Sequence, residues 1–274
     1  MSTTAATAEL PARRVHVPRH ARLARAELLK LRKRRGLVAS GLALTVLPML
    51  VAYTILLIVH ATNPAKHGPA GGLKNFSDSI DLLSTLGIIA AILIGATLGA
   101  GDLSSSVFRE LVVTGRSRLA LFAARVPAGL LVLWAFVGAG FAVTAIASNV
   151  FAGSLDVPSG TLLVEAAAWL ALVGALSLVL ALAVSSIVGS RGTTIGILFA
   201  WQIVVTPLLL QIKSLGPLRE GLLGAAIDRL RPSALMTGGP THVGMSLAAT
   251  TVVIAVWWTV SLALGGWRTA TRDA

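Results

Sequence analysis

The chain alternates between long apolar stretches and shorter polar ones. Apolar runs cover 37–60, 82–100, 128–152, 162–188, 193–211 and 247–266. Each has about 20 residues or more, enough for a helix to cross a ~30 Å hydrocarbon core. The runs follow one another too closely to leave room for a separate soluble domain. The pattern predicts an all-α membrane protein with one domain of six transmembrane helices over 37–267. A basic interfacial helix is expected at 18–36, between a disordered tail at 1–17 and the first span. A second short tail follows at 268–274.

Pro18 suits the first turn of the basic helix. Ala21, Ala24, Leu28 and Leu31 share one of its faces, whereas Leu23 and Leu29 fall off it, so its amphipathicity is moderate. Two readings stay open: an interfacial elbow set off by Gly36, or a plain basic flank to the first span. Pro48 lies within the first span and Pro207 near the end of the fifth. Membrane helices tolerate such prolines, which can kink them. In the second span Gly87, Ala91, Gly95 and Gly99 recur every four residues. A stripe of small residues lets another helix approach closely, within one subunit or at a subunit interface.

The longest charged segment between spans is 101–127. Leu103, Val107 and Leu111 fall on one helix face. Asp102 or Ser104 can cap that helix, and Gly115 is placed to stop it. Ser117 is expected to open a second short helix that carries Arg118 and Arg125 into the third span. A rigid charged knob of this kind suits docking onto another protein. Arg109, Glu110, Arg116 and Arg118 would be its polar contacts and Phe108 its apolar anchor. An ordinary charged loop is the plainer alternative. Between Pro217 and Leu230, ahead of the last span, an apolar-periodic piece leaves open whether the loop re-enters the membrane.

Composition sharpens the membrane reading. Hydrophobic residues make up 55% of the chain and charged ones 12%, against roughly 25% charged in soluble domains. The net charge is +12. The basic residues flank apolar spans, so the partner they point to is the anionic bilayer and not nucleic acid. With the N-terminus inside, the inner segments hold 17 Lys and Arg and the outer ones 6. That bias predicts a plasma-membrane protein with both termini cytoplasmic.

Candidate chemistry is sparse. The chain has no cysteine, which excludes disulfides, thiolate metal sites and a cysteine nucleophile. It has no HExxH, and its five histidines lie at or beyond span ends. Neither a catalytic nor a metal site is expected. Glu165, about one turn into the fourth span, and Gln202 and Gln211 in the fifth are the polar groups that could line a path. The glutamines could equally bond neighbouring helices. No GxxxxGK[ST] loop is present, so any ATP-driven activity must come from a partner.

These residues resemble the membrane subunits of type-2 ATP-binding-cassette (ABC) exporters. The stretch AELLKLRKRRG, with Glu27, Lys30 and Leu31, is similar to that family's basic connecting helix. The stretch GDLSSSVFRELVVTGRSRLALFAAR is similar to its cytoplasmic coupling helix and the basic stretch after it. There Asp102, Arg109, Gly115, Ser117 and Arg118 match the pattern. The family often has Glu where this chain has Asp102, and Gly-Thr where it has Ser106 and Val107. The resemblance implies a permease that docks a separate ABC ATPase subunit at the coupling helix and pairs with a second copy of this chain or a related permease. ATP and magnesium would then bind the partner, and no cofactor this chain. A non-catalytic accessory or immunity protein is the competing class. An intramembrane enzyme and an ABC importer permease fit less well.

Overall fold

The computed structural model describes residues 19–104, 117–236 and 243–271, with the side chains of 19–21 and 102–104 outside that description. The described residues form helices and turns without a strand. Six helices are long and apolar enough to cross a membrane: Arg35–Thr62, Leu73–Gly101, Arg118–Val150, Gly160–Val188, Arg191–Gln211 and Leu247–Thr271. A shorter basic helix, Arg19–Lys33, precedes the first.

The second and fourth spans share the largest helix interface and form the centre. In their most apolar windows 61% and 72% of residues are buried, against 17%, 11% and 11% in spans one, five and six. The small-residue stripe explains the close centre. A Cβ built on Gly95 would stand 2.6 Å from Ala181 Cβ and 2.7 Å from the Leu178 carbonyl oxygen. One built on Gly99 would stand 2.6 Å from Ser185 Cβ. Ser185 Oγ donates to the Ala96 carbonyl at 2.8 Å, a bond that needs the two backbones this close. Ala91 is fully buried, and Gly87 faces Val137 of the third span. The stripe therefore faces neighbouring helices of its own chain.

The third span packs against the second, the first span and the basic helix. Its fit to the first span is tight: a Cβ on Gly140 would strike the Thr45 carbonyl, and one on Gly41 the Phe136 ring. Tyr53 Oη and Ser148 Oγ share a 2.5 Å hydrogen bond, and Ser79 Oγ donates to Tyr53 Oη at 3.3 Å. That chain ties spans one, two and three together near the end that carries loops 63–72 and 151–159, labelled the outer end after the expectation from charge; the opposite end is labelled the inner end. The sixth span closes the other flank of the fourth.

Several boundaries differ from the sequence expectation, each for a physical reason. The break before the first span falls at Arg34 (φ −79°, ψ 84°) and not at Gly36, because that conformation is open to any residue. The first span is itself interrupted at Val46, and Pro48 enters in the first turn of the Leu47–Thr62 piece. The second span begins at Leu73, nine residues earlier than its apolar run. Phe76 and Ile80 are fully buried there, and the polar residues Lys74 and Asp78 face outward. Ser117 opens no separate short helix. It caps one continuous helix, Arg118–Val150, by accepting from the Ala120 amide at 3.5 Å. The sixth span continues past Trp267, itself largely exposed, to Thr271.

The fifth span is regular only in part. A π-helical turn, Ala200–Val205, sits immediately ahead of Pro207. Pro207 has no N–H to give the Ile203 carbonyl, so the α-helical ladder is broken there. The Thr206 amide instead reaches back five residues to Trp201.

Candidate functional site

At the inner end of the molecule the basic helix Arg19–Lys33 lies on the third span. Its inward face is Glu27, Leu28 and Leu31; Glu27 is 7% exposed and Leu31 2%. Lys30 Nζ pairs with Glu27 Oε1 at 2.7 Å, one turn away. A nearly buried carboxylate thus has a cationic partner, which such a group needs. The Arg34 guanidinium lies over Gly101, where the second span leaves the core. Arg118 Nη1 donates to the Ala270 carbonyl at 3.2 Å. A cation at the last turn of a helix satisfies a free carbonyl and complements the helix dipole. Arg118 thereby fastens the start of the third span to the end of the sixth.

Two basic residues at this end, Arg125 and Arg34, were not legible as site residues. Arg125 is 2% exposed, the largest fully buried side chain described, and its guanidinium is not free. It lies ~10 Å into the third span at 1.5 Å per residue. The only hint was an arginine set among apolar residues. Arg34 was one basic residue among many. Of the remaining residues expected at the docking knob, Phe108, Arg109, Glu110 and Arg116 lie outside the described residues, as does the side chain of Asp102.

Mid-membrane, Ser177 Oγ donates to Gln202 Oε1 at 3.1 Å. Both residues stand ~16 Å along their helices from the inner ends, given the 1.5 Å rise. Gln202 belongs to the π-helical turn, and its Nε2 is buried without a hydrogen-bond partner. π-helical turns recur at functional positions, and an unpaired buried amide costs free energy, so its presence calls for an explanation such as a functional role. Glu165 is exposed near the outer end of the fourth span, and Gln211 is exposed at the end of the fifth. No hydrogen bond joins Glu165, Gln202 and Gln211 to one another.

The segment between spans five and six packs at the end labelled outer. A 3-10 stretch, Lys213–Gly221, turns at Gly216 (φ 50°), and a short helix, Leu223–Arg229, follows. Trp257 Nε1, well inside the sixth span, donates to the Gly221 carbonyl at 3.1 Å. Trp169 Nε1 of the fourth span donates to the Ile227 carbonyl at 3.0 Å. The piece 217–230 therefore dips between the spans and does not loop over them. Arg231 locks it in place. Its Nη2 meets Asp81 Oδ1 at 2.5 Å and the Leu235 carbonyl at 2.6 Å, and its guanidinium lies 5.9 Å from the centre of the Trp169 ring.

Charge is divided sharply between the two ends. The end carrying loops 63–72, 151–159 and 212–246, with the span tips beside them, has six Lys and Arg and six Asp and Glu. All of the net +12 therefore belongs to the rest of the sequence, which holds 17 Lys and Arg against five Asp and Glu.

Among curated proteins none matches the chain. A family model described as an ABC-2 family transporter protein matches residues 23–207, which takes in most of the basic helix, the first four spans and the fifth up to the π-helical turn and Pro207. With more than half its length matched and six membrane-spanning helices, the chain belongs to the ABC-2 transporter family as a multi-pass membrane component.

Proposed function

We propose that this chain is the permease subunit of an ABC exporter, driven by a separate ATPase subunit that docks on its inner end. The observation that carries this reading is where the inner connections fall. The turn between spans four and five is too short to hold a docking element. The segment from Gly101 to Arg118 is the long one, and it leaves directly from the second span, at the packed centre. A push on that segment is delivered into the best-packed helix pair. Packed elements move as bodies, so closure of an ATPase would reach the spans as a rigid displacement.

The charge division supports placing that end in the cytoplasm of a cell membrane. The lightly buried first, fifth and sixth spans leave faces for lipid and for a second permease subunit. ATP and magnesium belong to the partner. Export, rather than import, rests on the resemblance of the connecting and coupling stretches. Reversing the charges of the knob, Arg109→Glu with Glu110→Arg, is expected to abolish ATP-dependent transport in a reconstituted complex. Retained transport and retained assembly in that double variant sink the docking assignment.

The Ser177–Gln202 pair is proposed to touch the transported molecule in one conformation of the cycle. Replacing both partners by apolar residues is close to neutral for folding. The variant Ser177→Ala with Gln202→Leu is therefore expected to keep its melting temperature within a few degrees while substrate-stimulated ATPase activity of the complex falls severalfold. A variant with unaltered stimulation removes the pair from the path.

A further inference from the structure

We propose that the inner elbow holds one anionic phospholipid, its acyl chain in the groove between the basic helix, the first span and the third span, and its phosphate on Arg32. This reading needs the chain to be in a membrane but does not need an ATPase partner.

The groove is a cavity of about 390 Å³, open along one side. Leu28, Val38, Leu131, Ala135 and Phe136 line it, and Arg32 is the charge at its rim. Leu131 is 54% exposed and Ala135 is exposed, so the opening faces outward from the bundle. An apolar trough open to the bilayer is filled by what surrounds it, and that is acyl chain.

The depth of Arg32 selects the part of the lipid it meets. Arg32, Lys33, Arg34 and Arg35 are four consecutive exposed cations at the junction with the first span. Four such charges settle at the headgroup level, because the hydrocarbon rejects them. The trough then starts at phosphate depth and runs into the core beside Val38 and Phe136.

Arg32 is uncommitted, as are its neighbours Lys33 and Arg35, but of these it is the one that lines the groove. Lys30 is paired with Glu27, and Arg34 is laid over Gly101. Arg32 has no hydrogen bond or ion pair among the described residues. A guanidinium is suited to bidentate binding of a phosphate. Charge complementarity therefore picks an anionic lipid over a zwitterionic one, and the elbow would be held at the membrane surface by the lipid it binds.

The test uses the full chain in nanodiscs of phosphatidylcholine doped with phosphatidylglycerol, followed by mild extraction and native mass spectrometry of retained lipid. Four forms are compared: wild type, Arg32→Glu, Ala135→Trp, which fills the trough from its exposed side, and Arg22→Glu, an exposed charge on the same helix. One phosphatidylglycerol per chain is expected on wild type and on Arg22→Glu. Retention should fall about tenfold in Arg32→Glu and vanish in Ala135→Trp. Equal retention in all four forms, or equal binding of phosphatidylcholine, overturns the site. A loss in Arg22→Glu as large as in Arg32→Glu also overturns it, since the helix would then be attracting lipid by charge alone.

Discussion

Gly95→Leu is expected to leave little folded protein in the membrane. Even a methyl group at this position would meet Ala181 Cβ at 2.6 Å and the Leu178 carbonyl at 2.7 Å. Both neighbours belong to the fourth span, one of them is backbone, and neither can swing aside. The helices must separate, and the Ser185–Ala96 hydrogen bond that depends on their closeness goes with them. Overpacking a tight core costs about 1–3 kcal/mol, occasionally more, and a leucine brings three further carbons. Gly95→Ala and Gly99→Ala are expected to lower the melting temperature measurably, and Gly95→Leu to abolish a monodisperse peak in detergent. Gly138→Ala and Gly196→Ala serve as controls, because no heavy atom lies within 4 Å of a Cβ built at either. Their stability should hold or rise slightly, as alanine is the better helix former. A Gly95→Leu protein as stable as these controls means the second and fourth spans do not pack as described.

The second large effect is expected at Arg231. Its substitution by methionine removes a hydrogen bond to Leu235, a contact with the Trp169 ring and the partner of Asp81 together. Asp81 is 41% exposed and Arg231 19%, so the ionic share is small after solvent screening. The hydrogen bonds and the ring contact bring the loss to the order of 3 kcal/mol. The charge swap Asp81→Arg with Arg231→Asp should restore little, since an aspartate at 231 cannot donate to a carbonyl or sit on a ring as a cation. The segment 212–236 should become cleavable by protease added from the outside, and the melting temperature should fall. Unchanged cleavage and melting in Arg231→Met would remove Arg231 as the lock of the outer hairpin.

The spans were legible because apolar length is a one-dimensional signal that the bilayer enforces. The start of the second span was hidden by Lys74, Asp78 and Asp81. These read as loop until Arg231, 150 positions later, is seen to neutralise one of them. The period of Gly87, Ala91, Gly95 and Gly99 announced a close contact but not its partner, since nothing local in a helix names the helix it will meet. Gln202 was visible as a polar residue among apolar ones. Its setting in a π-helical turn needed the ladder broken ahead of Pro207, and its bond to Ser177 depends on tertiary packing. The separate short helix after Ser117 did not form, because Arg118, Ala120 and Leu121 extend the third span without a breaker. Pro127 does not end it either, as a membrane helix can absorb one lost hydrogen bond. The groove at Arg32 required three elements to be placed together, two of them about 100 residues apart in the chain.

The measurement that bears most directly on the proposed function is a mild-detergent pull-down of the tagged chain from its native membrane, with mass spectrometry of what accompanies it. A stoichiometric ABC ATPase subunit is expected, and it should be lost when Phe108 and Arg109 are both replaced by alanine. A clean preparation without any nucleotide-binding protein contradicts the permease reading and favours an accessory membrane protein of the same six-span fold.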